Sequence, residues 1–285
     1  MKKPDLGSVQ YSIFDPTGNI TALVESPADE AVQMEVAAEI MRRHPEVEQV
    51  GFVRFYSDDE SEPGAPEVSL RMAGGEFCGN AAMSAAALYI IRHVPKVEAG
   101  REYTVLVQVS GASDPVRAKL SCEDGKSFRA EVEMPAPIGI EEKHFVCEAD
   151  WLYLEDTVPI VHMEGIDHII ADEYSVFYQL RGHHEEAEMI IKDICKDLGS
   201  KCLGMMFVFE EQEVLPLVYV PGADTIFWEN SCASGTAAIG AYLAFKKGKA
   251  VDVTLSEPGG RLSVASDPDT GVTRLRGNTR MLDKT

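Results

Sequence analysis

Two stretches limit what this chain can fold into more than any others. Residues 74–91 read "GGEFCGNAAMSAAALYII", and residues 228–245 read "WENSCASGTAAIGAYLAF". Each places a cysteine in a turn of small residues and then runs into a helix that is apolar on every side. An amphipathic helix can lie on a surface, but a helix without a polar face has to be surrounded. The spacing predicts such helices over Asn80–Ile91 and Ser234–Phe245. The second carries Lys246 and Lys247 in its last turn and Gly248 as its stop. Each needs a sheet wrapped around it.

The runs between them supply that sheet. "YSIFDPTGNITALVES" reads as a strand, a turn at 16–19 and a second strand. "DEAVQMEVAAEIMRRH" has helical spacing of Val32, Val36, Ile40 and Met41 and is stopped by Pro45. "QVGFVRFYS" and "VSLRMA" are β-rich, and the acidic segment 58–67 between them reads as a solvated loop. "EYTVLVQV", "VRAKLSC" and "FRAEVEM" alternate as antiparallel strands do. After "PAPIG" at 135–139, read as a linker, the pattern starts again. "TVPIVHMEG" and "DHIIAD" are strand-like, "HEEAEMIIKDICKDLG" is an amphipathic helix, and "GMMFVFEE" and "LPLVYVPG" are strands before the second cysteine turn. "VDVTLSEPGG", "RLSVAS" and "VTRLRGN" close the chain. Strand, helix, strand, cysteine turn, buried helix, more strands therefore occurs twice. The expectation is an α+β fold of two pseudo-symmetric domains, residues 1–135 joined by the last strand 275–285, and residues 136–274.

The composition narrows the function. With 285 residues, 45% of them hydrophobic, the chain can bury large cores, while its formal charge is -21. Such acidity serves solubility and disfavours nucleic acid and anionic membranes, since phosphate binding needs clustered Lys and Arg. No apolar run reaches the ~20 residues of a membrane span. The N-terminal lysines lack a following apolar segment, so a secretory signal is not expected and the cytoplasm is the expected compartment. There the six cysteines are expected as thiols. Cys195 and Cys202 lack zinc-ligand spacing, so no metal is expected. With Cys122 and Cys147 they read as packing residues.

The cysteine turns carry the chemistry. A helix N-terminus offers unpaired N–H groups and partial positive charge, and Gly79, Asn80, Ser234 and Gly235 are small enough to let a ligand reach them. Two facing termini can grip one carboxylate, and their field should lower the pKa of Cys78 and Cys232. An α-carbon between the two sulfurs could then lose a proton to one thiolate and gain one from the opposite thiol, which inverts the centre. The scheme requires neither a metal nor another cofactor. A single cysteine beside glycines is more often a buried small residue. Two, each opening a buried helix in the matching place of each half, point to an enzyme.

At these residues the chain resembles the diaminopimelate epimerase superfamily of cofactor-independent amino-acid racemases, over nearly its whole length. "CGN" at 78–80 and "SCASGT" at 231–236 carry the resemblance. It implies two barrel-like domains with central helices, an active site in the cleft between them, and Cys78 and Cys232 as the acid/base pair. Asn19 in "GN" resembles the family's early substrate-contacting asparagine. "GIDH" at 165–168 resembles its Gly-Asn-Pro-His turn and puts His168 at the active-site histidine position. Glu229 and Glu76 lie just before the two cysteines, where an acidic residue can support the site.

The departures concern the substrate. Where the family reads a distal amino-carboxylate, this chain has Met72, Ile166, Met206 and Pro221, and "VPG" at 220–222 replaces Glu-Arg-Gly. A charged distal group against such walls costs several kcal/mol. "PGADTIFWENSC" instead resembles the histidine racemases of opine-type metallophore synthesis. A neutral imidazole tolerates an apolar pocket with one polar anchor, Asp167 or Glu229, and Trp228 is a further candidate contact. The expected partner is a small amino acid, with a homodimer left open. Diaminopimelate epimerisation in an atypical pocket, a racemase of another neutral amino acid, and a non-catalytic amino-acid binder remain the alternatives.

Overall fold

A computed structural model describes residues 9–56, 64–149 and 151–284, so the start of the acidic loop and the N-terminal lysines lie outside the described residues. The chain divides into two compact units, 1–134 with 275–285, and 135–274.

The first unit is built from β1 (Tyr11–Asp15), β2 (Thr21–Val24), α1 (Glu30–Arg43), β3 (Gln49–Phe55), β4 (Val68–Met72), α2 (Gly79–His93), β5 (Glu102–Val109), β6 (Val116–Cys122) and β7 (Ser127–Met134), with β16 (Thr273–Lys284) belonging to it from Leu275 on. Its strands follow the order β1-β2-β3-β4-β5-β6-β7-β16, and β16 pairs back onto β1, closing an eight-stranded barrel. Two steps are parallel, β2–β3 and β4–β5, and each is bridged by a helix, as a parallel pair requires. Helix α1 packs outside, where Val36 and Ile40 meet Tyr11, Ile13, Val24 and Phe52. Helix α2 lies against β2 through β7 and is buried from Gly79 to Leu88. Its Ala-rich sequence lets six strands approach the backbone closely. Strand β6 shows how the wall is written: Val116, Ala118 and Leu120 face in while Arg117 and Lys119 face water.

The second unit runs β8 (Gly139–Ala149), β9 (Leu152–Met163), β10 (Ile166–Asp172), a 3₁₀ helix (Val176–Gly182), α3 (His184–Leu198), β11 (Leu203–Phe209), β12 (Glu213–Val220), β13 (Thr225–Trp228), α4 (Ala233–Lys247), β14 (Val251–Glu257) and β15 (Gly260–Ser266). The sheet order is β15-β14-β12-β11-β10-β9-β8, with β13 beside β12. The parallel steps are β10–β11, bridged by α3, and β12–β14, bridged by α4. Among the described residues no pairing joins β8 to β15, so this sheet is not closed as the first is. Helix α3 covers one face, its Ile190 and Ile194 clustering with Phe177 and Phe207. Helix α4 contacts β9, β10, β11, β14 and β15 and is buried from Ala233 to Ala244. It ends at Gly248 in the left-handed conformation, the expected stop. The β8–β9 hairpin is longer than the sequence reading, which saw only the end of β9, and β13 was not read as a strand. No described helix is long and apolar enough to cross a membrane.

Candidate active site

Cys78 is the N-cap of α2. Its backbone is extended, φ -137° and ψ 111°, and the chain turns helical at Gly79. The sulfur accepts the Ala81 N–H at 3.4 Å and donates to Gln49 Oε1 at 3.1 Å. Gln49 Nε2 donates to Thr21 Oγ1 at 2.8 Å, and Thr21 Oγ1 donates to the Asn19 carbonyl at 2.9 Å. A chain of polar contacts thus ties the β1–β2 turn to the sulfur through the first residue of β3. Asn19 itself is buried behind Thr17 and Gly18, both at positive φ, and Gly18 N donates to Asp15 Oδ1 at 2.6 Å. Asn80 is buried in the first turn of α2. The structure therefore gathers Asn19, Cys78, Gly79 and Asn80. It adds Gln49, which the sequence reading passed over.

Cys232 is the N-cap of α4, with φ -126° and ψ 101°. It is buried, and its sulfur lies 3.6 Å from Ser234 Oγ. The residue that organises this turn is one the sequence reading missed. Glu257, at the end of β14, accepts the Cys232 N–H on Oε2 at 2.6 Å and the Thr236 hydroxyl on Oε1. Glu229 is near enough to act on the Cys232 sulfur through its charge. Burial, then the charges of Glu229 and Glu257, push the Cys232 thiol well above its ordinary range and outweigh the Ser234 and Gly235 contacts that lower it. The helix-field expectation fails at this cysteine because desolvation and two carboxylates are larger effects than one helix terminus. Burial also raises Glu257 to about 7, against the lowering influence of Thr236 and the Cys232 N–H.

His168 and Asp167 part company. Neighbours in a strand point to opposite faces, and β10 already includes both. His168 is fully buried on one face, with no hydrogen-bond partner at either ring nitrogen among the described residues, and burial takes its pKa down to about 3. It sits where a side chain at Gly204 would collide with it. Asp167 points the other way, with Oδ1 3.0 Å from His162 Nδ1 and Oδ2 accepting from Ser200. This carboxylate fastens β10 to the chain leaving α3, so it does not share a face with His168.

The remaining candidates divide similarly. Trp228 stacks on His184 at 3.9 Å between ring centroids and donates to Glu188 Oε1 at 3.1 Å, which makes it part of the α3 packing. Gly235 is small because Met206 sits against it. Met72, Ile166 and Met206 are buried, whereas Pro221 is exposed. Glu76 is held with one carboxylate oxygen buried and without a hydrogen-bond partner among the described residues, and burial raises its pKa. All six cysteines are free thiols, and Cys122, Cys195 and Cys202 are buried.

The comparisons with known proteins bear on what these two turns belong to. A family model described as "Histidine racemase CntK N-terminal domain" matches residues 8–277. A histidine racemase of Staphylococcus aureus is 31% identical over 262 residues, 90% of this chain and 88% of that protein. One from Fusobacterium nucleatum is 30% identical over 272 residues, 92% of each. Among solved structures, a hydroxyproline epimerase from Agrobacterium vitis superposes with a TM-score of 0.68 at 11% identity, covering 97% of this chain and 91% of that one. A PhzF-family phenazine biosynthesis protein from Bacillus anthracis gives 0.58 at 12% identity, covering 97% of each. These two share the fold. With nearly its whole length inside the family, this chain belongs to the histidine racemases and is an isomerase, an amino-acid racemase.

Proposed function

We propose that the substrate is histidine and that its α-carbon is inverted by Cys78 and Cys232, acting from opposite faces of that carbon and without a cofactor. One observation carries this reading: each unit opens its buried helix with a cysteine N-cap in nearly the same backbone conformation. The same succession of helix-bridged parallel steps in the two units supports reading them as pseudo-equivalent. The thiolate of one cysteine takes the Cα proton and becomes a thiol. The thiol of the other gives a proton to the opposite face and becomes a thiolate. Product release leaves the protons exchanged between the sulfurs, ready for the other enantiomer. Burial and the charges of Glu229 and Glu257 favour the thiol at Cys232, so in this reading Cys232 supplies the acid first. A thiolate at Cys78 would draw on the Ala81 N–H that its sulfur already accepts. The first turns of α2 and α4, through Gly79, Asn80, Ser234 and Gly235, hold the carboxylate and stabilise charge as the proton leaves. Asn19 completes the grip on the amino-acid head, and His168 and Glu229 border the reacting side. The buried Met72, Ile166 and Met206 favour a neutral side chain, since an unpaired charge against them costs several kcal/mol.

The experiment is L-histidine in heavy water followed by NMR and chiral analysis. Wild-type protein should wash deuterium into Cα and form D-histidine, unaffected by chelator. Cys78→Ala and Cys232→Ala should each abolish inversion with the fold intact. Near-normal turnover by either variant would end the two-thiol scheme, and fast epimerisation of diaminopimelate beside inert histidine would end the substrate assignment.

A further inference from the structure

Glu257 has no part in the sequence reading, yet its carboxylate accepts two hydrogen bonds in the Cys232 turn. It is buried at 7% exposure and reaches from β14 to the first turn of α4. One oxygen takes the Cys232 N–H and the other the Thr236 hydroxyl. Together these fix both ends of the turn that carries the sulfur. An ordinary N-cap side chain would satisfy one such donor from within the turn. Here the acceptor comes from a strand 25 residues away, so the cap is tied to the sheet and not only to the helix.

A carboxylate in that place also opposes the obvious purpose of a helix N-terminus. The N–H groups favour a thiolate; an anion beside them disfavours it. Among the described residues it is held by the N-cap Cys232 and by Thr236 of α4, while Glu229, from the segment before the helix, adds a second negative charge near the Cys232 sulfur. On the outer side lies a cavity of about 320 Å³, between the 3₁₀ helix and β11, β12 and β14, which Glu257 lines together with Arg181 and Glu213. Strands β12 and β14 meet in one residue pair, Glu213 with Ser256, so the sheet is open beside Glu257.

We propose that Glu257 is a positioning residue for Cys232: from β14 it anchors the turn that bears the sulfur, and in its ionised form it disfavours a thiolate there, leaving the sulfur ready to act as the acid. The idea rests on the two-thiol reading for its purpose, but its test does not need turnover. The full chain without substrate is alkylated with iodoacetamide from pH 6 to 10, and the rate at Cys232 is read by peptide mass spectrometry. In the wild type the Cys232 midpoint should lie above about 8.5, the value of a free cysteine. Glu257→Gln keeps the shape and loses the charge, so the midpoint should fall and the rate at pH 7.5 should rise about tenfold. Glu257→Asp restores the charge and should return the profile most of the way to wild type. A wild-type midpoint at or below 8.5 overturns the proposal without any variant. So does a Glu257→Gln profile that matches wild type in a protein of unchanged melting temperature. Failure of the racemase reading is distinct: it appears as no deuterium wash-in by the wild type, whatever the alkylation profile.

Discussion

His168 and Glu257 are both buried in the second unit, and burial moves their pH responses in opposite directions. Burial depresses His168 from 6.5 to about 3. Above pH 6.5 the ring is neutral in both the folded and unfolded chain, and nothing is lost. Below it the unfolded chain takes up a proton that the folded one refuses, so stability falls as the pH drops toward 3, by about 1.4 kcal/mol per unit for a full proton. Glu257 is raised from 4.5 to about 7. The folded chain then holds a proton that the unfolded one has released, so its contribution is complete below 4.5 and lost as the pH rises through 7. Between 4.5 and 6.5 the two oppose each other and the wild type should look nearly flat. Single variants separate them. In urea melts, His168→Gln should lose the acid-side fall, while Glu257→Gln should lose the fall on the neutral side. Parallel curves for wild type and His168→Gln below pH 6 would mean that the histidine is solvated after all.

At the scale of the element, the helices that no polar face could float are also where small residues matter most. A side chain at Gly240, in the middle of α4, would place Cβ 2.5 Å from Val264 Cγ2 on β15. Alanine is the better helix former by about 1 kcal/mol, but overpacking a full core costs about 1–3 kcal/mol. Gly240→Ala should therefore destabilise, and Val264→Ala added to it should recover part of the loss in a double-mutant cycle. Additive effects would show that the two never touch. The buried helices, their cysteine caps and Gly248 were legible because an all-apolar run and a left-handed stop are local signals. So was α3, from its periodicity. What was not legible depended on pairing. "DHIIAD" read as a strand, but the resemblance of "GIDH" to a turn offered Asp167 and His168 as site residues together, and pleating puts them on opposite faces. Glu257 lay in "VDVTLSEPGG", read only as a strand, and nothing local marked Cys232, 25 residues earlier, as its partner. Gln49 opened an apolar strand, and nothing local marked Cys78 as its partner.

Closure of the first unit is a property of the whole chain, since its last strand comes from the far end of the sequence. Strand β16 pairs with β1 and lies beside β7, and it buries Leu275, Thr279 and Met281. Thr279 shares a hydrogen bond at 2.9 Å with Ser84 of α2, so the strand also braces the helix whose N-cap is Cys78. Ending the chain after Arg274 would leave β1 and β7 as two open edges, remove that brace and expose the side of α2 that β16 covers. Burial of Leu275 and Met281 alone is worth about 1.5–3 kcal/mol each, a large share of the margin of a domain stable by 5–15 kcal/mol. Residues 135–274 keep every strand pairing described for the second unit from β8 to β15. Hydrogen exchange on the truncated chain should thus show amides of α2 losing protection by several orders of magnitude, while those of α3 and β11 stay close to wild type. Equal loss in α2 and α3 would mean that the chain folds as one cooperative body and that the last strand does not close the first barrel separately.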